Sequence, residues 1–313
     1  MRAVTIREQK LSVEEHPDPS PGSGEVLVSV RAAGLNGADM LQRRGRYPAP
    51  PGAPQEIPGL ELAGEVIALG PGATRFAEGE RVMGIVAGGG QAELAVVHER
   101  ILMAVPEKLD WAQAGGTPEV FTTAHDAIFT QAGLKPGERL LVHGGAGGVG
   151  TAAIQLGRAT GARVTATVRN AQLREEVARL GAEVIESEGF AEHGPFEVIL
   201  ELVGAPNLAE NLKAVAPGGR IAVIGIGAGA KGELNLAALM GKRASIHAST
   251  LRARPLEDKA LTARAMERSV LPLLAAGTVE VLVAARYPLG QAAQAYDHFA
   301  AGGKLGKIVL EMG

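Results

Sequence analysis

The middle of the chain alternates apolar segments with helical stretches. Apolar runs typical of buried strands cover residues 139–143, 163–168, 180–185, 196–203 and 220–225. Helical patterns lie between them, and the Ala-rich stretch 151–160, closed by Gly161, is the most regular. Near-continuous apolar strands separated by helices are typical of a parallel sheet covered on both faces. The pattern therefore predicts a doubly wound α/β domain.

The first third of the chain follows a different pattern. Residues 25–31 and 62–69 alternate apolar with polar positions between Pro and Gly turns, which predicts half-buried antiparallel strands. Near the C-terminus, a helix over 291–301 and a strand over 307–311 are expected to return to this β-rich unit. The sequence therefore predicts two domains of different construction.

Length and composition fit two domains and narrow the class of partner. The chain has 313 residues, 46% of them hydrophobic, which is enough for two full-sized cores. A net charge of −3 without a basic stripe argues against nucleic acid as a partner. The N-terminus lacks a signal-peptide core and no apolar run is long enough to span a bilayer, so we expect a soluble, cytoplasmic protein with no membrane partner. The absence of cysteine excludes disulfides and thiolate chemistry.

A glycine-rich run carries the first candidate chemistry. Gly145, Gly147 and Gly150 stand between a predicted strand and the Ala-rich helix. In that context the spacing is a dinucleotide-binding fingerprint, because the turn is tight, the backbone must approach a pyrophosphate, and the helix must pack closely on the sheet. A purely structural glycine turn is the alternative. The residues expected to contact the cofactor here are Gly145, Ala146, Gly147, Gly148, Val149 and Gly150.

The next strand indicates which dinucleotide is bound. An NAD-binding chain normally places Asp or Glu about 20 residues past the glycines, on the ribose hydroxyl. Here the strand ends in Val168, Arg169 and Asn170, with Arg174 one helical turn further on. A guanidinium group suits a 2′-phosphate, so NADPH is favoured over NADH. A solvated surface charge is the alternative reading of Arg169.

The order of domains and the motifs together resemble a known family. The chain is similar to the medium-chain dehydrogenase/reductase superfamily, and within it to the zinc-free quinone oxidoreductases related to zeta-crystallin. The segments that carry the similarity are residues 33–47, 58–64, 88–93, 118–124, 143–156, 248–254 and 306–310. The connection over 186–195 is short for the family. The resemblance implies a GroES-like catalytic domain over 1–120, an NADPH-binding Rossmann domain over 121–258, and a return to the catalytic domain over 259–313.

The resemblance raises the question of zinc, because zinc-dependent alcohol dehydrogenases share this architecture. Catalytic zinc takes mainly Cys and His ligands. The chain has no Cys, and Gly59, Leu60 and Glu61 stand where the zinc enzymes carry Gly-His-Glu. The histidines show no ligand spacing. The sequence therefore predicts no metal site.

The resemblance also implies the site residues. Asn36 and Tyr47 would line the cleft, and Thr123 would face the nicotinamide. Further cofactor contacts are expected from Tyr47, Val203, Gly204, Gly225, Ile226, Ser249, Thr250, Leu251 and Lys307. Each residue also has a purely structural alternative: Asn36 as a turn former, Tyr47 as an exposed loop residue, Thr123 as a helix cap, and Lys307 and Arg252 as solvated charges.

The implied function is a zinc-independent NADPH:quinone oxidoreductase. Without a Lewis acid the substrate must accept hydride with little help, as quinones and activated alkenes do. The alternatives are an NADPH-dependent enone or 2-alkenal reductase and a non-enzymatic NADPH-binding regulatory or structural protein. No proton donor is recognisable; Glu61, Glu119 and solvent are candidates. Residues 245–249 are expected to pair with their twins in a homodimer.

Overall fold

The computed structural model of the protein describes residues 1–313, and its strands fall into two large sheets and one hairpin. None of its helices is both long and apolar enough to cross a lipid bilayer. The strands are β1 (Arg2–Arg7), β2 (Lys10–Glu15), β3 (Glu25–Gly34), β4 (Glu61–Leu69), β5 (Arg81–Ile85), β6 (Leu94–His98), β7 (Leu102–Ala104), β8 (Arg139–Val142), β9 (Arg163–Thr167), β10 (Glu183–Ile185), β11 (Phe196–Glu201), β12 (Val215–Val223), β13 (Ser245–Ala248), β14 (Val283–Pro288) and β15 (Lys307–Glu311). The helices are α1 (Gly37–Arg43), α2 (Trp111–Gly115), α3 (Pro118–His125), α4 (Gly148–Ala159), α5 (Arg174–Arg179), α6 (Leu208–Ala214), α7 (Leu236–Lys242), α8 (Leu256–Ser269), α9 (Leu271–Ala276) and α10 (Ala292–Ala301).

The second half of the chain forms a six-stranded sheet in the order β10-β9-β8-β11-β12-β13. All neighbouring strands are parallel. The central strands β8 and β11 are almost wholly buried, since helices and their connections cover both faces. The predicted doubly wound α/β class is confirmed. Strand order reverses next to β8, and ligands of such sheets bind at the carboxyl ends of the strands there.

The β-rich sheet has seven strands, and two of them come from the C-terminus. Its order is β14-β15-β3-β4-β5-β7, with β6 paired to β3. Strand β15 runs antiparallel to β3, which places Leu310 opposite Ala33. The strand predicted over 307–311 therefore returns to the β-rich sheet as expected. The numerical domain boundaries stay a prediction.

One hydrophobic cluster spans the two sheets. Helix α3 lies between them: Phe121 and Ala124 pack in a cluster that includes Met83 and Met103 of the β-rich sheet and Val142 of the parallel sheet. Fixing α3 against both sheets places its side chains at the junction of the two domains.

One strand boundary differs from the sequence prediction. The strand predicted to begin at residue 220 begins at Val215, and it includes Gly218, which adopts a φ of +75° where the pairing with β11 is irregular. The short connection 186–195 forms a 3₁₀ turn over Phe190–His193, with a cis peptide before Pro195.

Candidate active site

The glycine-rich loop joins β8 to α4 at the carboxyl edge of the parallel sheet. A Cβ on Gly145 would lie 2.9 Å from Cβ of Ala166, and one on Gly150 would overlap the backbone of Gly144. Gly147 is exposed, and a Cβ on it would meet only the carbonyl oxygen of Gly144, at 3.4 Å. The first and third glycines are therefore required by packing, whereas Gly147 leaves the outer face of the loop open.

The start of α4 presents free backbone donors on that open face. The N–H groups of Gly148, Val149 and Gly150 have no acceptor in the protein, as expected for the first turn of a helix. Together with the partial positive charge of the helix N-terminus they suit a pyrophosphate. The residues of this loop therefore fit a dinucleotide cofactor, as the sequence predicts.

A buried chain of hydrogen bonds supports the loop from below. Nε2 of His143 lies 2.8 Å from Oδ1 of Asn211, whose Nδ2 donates to Glu201 at 2.7 Å. On the other side, Nδ1 of His143 lies 3.2 Å from Oγ1 of Thr167, which accepts from the N–H of Gly144 at 3.3 Å. These hydrogen bonds thus run from the glycine loop across β8 to the end of β11.

The direction of every bond in this chain is fixed. The Asn211 amide donates to a carboxyl group, so its oxygen faces His143 and accepts from Nε2–H. Burial lowers the pKa of His143, which keeps the ring neutral and leaves Nδ1 to accept from Thr167. The same Glu201 carboxyl accepts from the N–H groups of Val203 and Gly204, at 2.6 and 2.8 Å. Two loops expected to bind the cofactor are therefore held by one connected set of side chains.

The two arginines predicted near the adenosine differ in their environment. Arg169 is exposed and makes no hydrogen bond or ion pair with the protein. Arg174 donates to the carbonyl of Val168 at 3.1 Å and pairs with Glu186 at 2.9 Å. Arg169 is the free cation at the end of β9.

Lys307 occupies the polar centre between the two domains. Its side chain is 2% exposed, and Nζ lies 2.6 Å from Oε1 of Glu61, 2.7 Å from Oδ1 of Asn36 and 2.8 Å from the carbonyl of Leu35. The three N–H donors of the ammonium are all used. The alternative that Lys307 is a solvated charge is wrong.

The position of Lys307 follows from how β15 meets the glycine loop. Gly306 donates its N–H to the carbonyl of Ala146 at 3.0 Å and adopts a φ of +83°. A Cβ on Gly148 would lie 2.9 Å from Cδ of Lys307 and 2.8 Å from Val120. Lys307 therefore lies directly beneath the start of α4.

Asn36 begins a helix and holds a buried carboxyl group, and its predicted place in the substrate cleft stays a prediction. It is the N-cap residue of α1, where its backbone N–H donates to Asp39 at 2.8 Å, and its side-chain amide donates to Glu61 at 2.9 Å. Burial raises the pKa of Asp39 to about 6. Asn36, Glu61 and Lys307 form a closed polar cluster, called the Lys307 cluster below.

Helix α3 carries a second carboxyl group to this cluster. The backbone N–H of Glu119 donates to Oε2 of Glu61 at 2.8 Å, and Oγ1 of Thr123 donates to Oε1 of Glu119 at 3.3 Å. Burial, followed by the charge of Glu61, raises the pKa of Glu119 to about 7. Thr123 lies in the sixth position of α3, so the expectation that it begins or caps a helix is wrong; Thr117 is the N-cap residue.

Arg252 anchors the loop that carries Tyr47. The guanidinium is 4% exposed and donates to the carbonyls of Ala87 and Tyr47, at 2.7 and 3.0 Å, and to Gln42 at 2.7 Å. It lies 5.1 Å from the centre of the Tyr47 ring. The alternative that Arg252 is a solvated charge is wrong. Tyr47 is half-buried, and its hydroxyl has no hydrogen-bond partner in the protein.

The remaining predicted cofactor residues follow β12 and β13. Gly225 packs against the backbone of Leu202, and Ile226 beside it is 50% exposed. The hydroxyl of Ser249 donates to Asp126 at 3.0 Å, Thr250 is exposed, and Leu251 is buried. Sequence reasoning assigned no role to Asp126, which pairs with Arg254 at 2.6 Å, or to Asn211 and Glu201. The sequence signal that could identify such a residue is a polar side chain in an otherwise apolar run, such as Glu201 in β11.

The described residues include no cluster of three or more His, Cys, Asp or Glu side chains arranged to hold a metal ion. Where zinc enzymes of this architecture carry a ligand histidine, Leu60 is 2% exposed in the core. The centre of the junction is an ammonium group held by Asn36 and Glu61.

Comparison with known proteins decides the family. Residues 22–107 match the model of the alcohol dehydrogenase GroES-like domain, and residues 175–310 match the model named zinc-binding dehydrogenase. The chain is 32% identical to the quinone oxidoreductase of Rattus norvegicus over 304 residues, which cover 93% of this chain and 90% of that protein. The chain belongs to the zeta-crystallin-like quinone oxidoreductases of the medium-chain dehydrogenase/reductase superfamily.

Solved structures of this superfamily match over the whole chain. An alcohol dehydrogenase superfamily protein from Novosphingobium aromaticivorans superposes with a TM-score of 0.88 at 29% identity, covering 99% of this chain and 98% of that one. A mycobacterial protein solved in complex with NADPH gives a TM-score of 0.88 at 25% identity, covering 99% of this chain and 100% of that one. The GroES-like and Rossmann domains and a pyridine nucleotide-dependent oxidoreductase activity follow from this membership.

Proposed function

We propose that the protein is a zinc-independent NADPH:quinone oxidoreductase. The observation that carries this proposal is the Lys307 cluster: the polar centre of the interdomain junction is an ammonium ion pair. Catalytic zinc prefers Cys and His ligands, but the chain has no Cys, and Asn36 and Leu60 supply no such ligand. An enzyme built in this way suits an acceptor that takes hydride without a Lewis acid, and quinones meet that condition.

The free donors of α4 and the free cation Arg169 support NADPH as the cofactor. Gly148, Val149 and Gly150 would bind the pyrophosphate, and Arg169 would bind the 2′-phosphate. No acidic residue ends β9 to accept from a ribose 2′-hydroxyl. The relative solved with NADPH is consistent with this choice. When bound, the dihydronicotinamide supplies the hydride.

Two hydroxyl groups would position the substrate oxygen. Tyr47 offers a hydroxyl without a protein partner, and Arg252 holds its loop in place. Thr123 offers a second hydroxyl from α3. The amide of Asn36 is bound to Glu61 and Lys307, so we assign it to the support of the cluster. The Lys307 cluster would fix α3 and the start of α4 against each other.

An acceptor panel tests the proposed reaction. Oxidation of NADPH and NADH is followed with an ortho-quinone, a para-quinone and a 2-alkenal. We expect quinone turnover that is faster with NADPH than with NADH. Turnover of the 2-alkenal alone would overturn the proposal in favour of a double-bond reductase, and tight NADPH binding without any turnover would indicate a non-enzymatic protein.

We also propose a homodimer that forms along β13. This strand is the edge of the parallel sheet, and the neighbouring α7 exposes Leu236 by 63% and Met240 by 76%. Unpaired strand edges and exposed apolar side chains are typical of a subunit contact. The cytoplasmic location stays a prediction.

A further inference from the structure

Three carboxyl groups lie at the interdomain junction, and their partners differ. Glu61 accepts from Lys307, Asn36 and the backbone of Glu119. Asp39 accepts from two backbone N–H groups, those of Asn36 and Gly59, at 2.8 and 3.3 Å. The carboxyl group of Glu119 has no cation and no backbone donor; its only partner is the hydroxyl of Thr123.

Glu119 is also the one carboxyl group of the three that solvent reaches. Asp39 and Glu61 are fully buried, whereas Glu119 is half-buried and Thr123 is 7% exposed. Glu119 and Thr123 stand four residues apart on α3, so their side chains lie on the same face of the helix. Val120, the next residue of α3, would lie 2.8 Å from a Cβ on Gly148, so α3 passes close to the start of α4.

From this arrangement we propose that Glu119 is the source of the proton taken up by the reduced acceptor, and that the hydroxyl of Thr123 carries it. This inference rests on the proposed function. Glu119 acts through Thr123 and does not itself touch the substrate. The other groups of the junction are unsuited, because the ammonium of Lys307 and the carboxyl of Glu61 are fully engaged and Asp39 is closed off from solvent.

The charges around Glu119 support its protonation near neutral pH. Glu61 on β4 and Asp39 on α1 raise the pKa of Glu119 and Lys307 on β15 lowers it, but burial dominates and the pKa is about 7. The charge of Glu119 also raises the pKa of Tyr47 and, at Arg252, partly offsets the lowering of the pKa by burial. Protonated Glu119 would donate to Thr123, which frees the hydroxyl proton of Thr123 to point at an acceptor oxygen.

The acceptor receives the hydride and the proton from different groups. The acceptor gains two electrons and one hydrogen with the hydride, which the nicotinamide loses. The O–H bond of Thr123 breaks as a new O–H bond forms on the acceptor, and Thr123 regains a proton from Glu119. The carboxylate left on Glu119 takes its next proton from water. One hydroquinone is formed for each NADPH oxidised, with one proton taken from solvent.

The test compares the pH dependence of kcat for an ortho-quinone in four variants: Glu119→Gln, Thr123→Val, Thr123→Ser and Glu192→Gln. Glu192→Gln is the control, because it removes an exposed carboxyl group in the connection 186–195. For the wild type, kcat should fall as pH rises through about 7, because the acid form is lost. Glu119→Gln and Thr123→Val should each lower kcat about 100-fold at pH 6, in line with loss of a general acid, and should remove this pH dependence. Thr123→Ser and Glu192→Gln should behave as the wild type.

The double variant of Glu119→Gln with Thr123→Val should be no slower than either single variant, because both interrupt one path. Binding of NADPH, measured by fluorescence, should be unchanged in Glu119→Gln, which separates a proton role from a packing role. If the wild type reduces quinones but Glu119→Gln keeps its kcat and its pH dependence, the proton role is wrong and the proposed function stands. If the wild type reduces no acceptor, the proposed function itself fails.

Discussion

Lys307 and Glu61 form a fully enclosed ion pair of 2.6 Å, although 246 residues separate them. Strand β15 brings the lysine to the β-rich sheet and, through Gly306, to the glycine-rich loop. The pair therefore joins the two domains at the position where cofactor and substrate are proposed to meet.

Removal of the ammonium should be strongly destabilising. In Lys307→Met the carboxyl of Glu61 stays buried without its cation, so we expect a loss of about 3–5 kcal/mol in the free energy of unfolding. Urea denaturation measures this loss. Adding Glu61→Gln should recover part of it, and Lys213→Met, which breaks an exposed pair with Glu210, should cost less than about 1 kcal/mol. A cost below about 1 kcal/mol for Lys307→Met would contradict the role of the pair.

Arg169 should decide between the two nicotinamide cofactors. Arg169→Ala removes the one free cation at the end of β9, and a charge-assisted contact to phosphate is worth roughly 1.5–3 kcal/mol. We therefore expect the Kd for NADPH to rise about 10- to 100-fold while the Kd for NADH is unchanged. Arg179→Ala, an exposed arginine on α5, is the control. Equal weakening of both cofactors would show that Arg169 does not read the 2′-phosphate.

The hydrogen-bond chain under the glycine loop should matter for cofactor binding. Thr167→Val keeps the shape of the side chain but removes the bonds to His143 and Gly144, each worth about 1 kcal/mol. We expect the Kd for NADPH to rise about fivefold or more, with a lower Tm. Thr167→Ser restores the hydroxyl and should restore binding. If Thr167→Val binds NADPH normally, the hydrogen-bond chain does not position the cofactor.

Glu119 should make stability depend on pH. Its pKa is raised from 4.5 to about 7 in the folded protein, so the folded state binds more protons than the unfolded state between these values. The stabilising contribution is fully present below about pH 4.5 and is lost as pH rises through about 7. Glu119→Gln should therefore be more stable than the wild type at pH 8, by on the order of 2 kcal/mol, and show a flatter profile of Tm from pH 5 to 8. A variant less stable than the wild type at pH 8 would contradict the raised pKa.

The dimer contact can be tested on the exposed face of α7. Leu236→Asp combined with Met240→Asp places charges on two exposed apolar positions beside the sheet edge. Light scattering should report a dimer for the wild type and a monomer for this variant, with the far-UV circular dichroism unchanged. A wild type that is monomeric at micromolar concentration would rule out the proposed contact.

Local sequence patterns predicted the strands and helices but not the contacts between residues that are far apart in the sequence. The predictions of the strand over 307–311 and of the glycine loop are confirmed, because the alternation of a strand and the glycines of a turn depend on neighbouring residues alone. From the sequence alone, Lys307 is a candidate cation for the cofactor or substrate, or a solvated charge, because nothing in the sequence places Glu61 beside it. Similarly, the acceptors of Arg252 lie in residues 42–48 and at Ala87, far from it in the sequence, and only the fold brings them to it.

Zinc independence is tested by the rate of NADPH oxidation by an ortho-quinone after exhaustive dialysis against a chelator, with the metal content measured on the same sample. We expect an undiminished rate at a zinc content far below one ion per chain, with NADPH preferred over NADH. Loss of the activity on dialysis and its return with added zinc would contradict it.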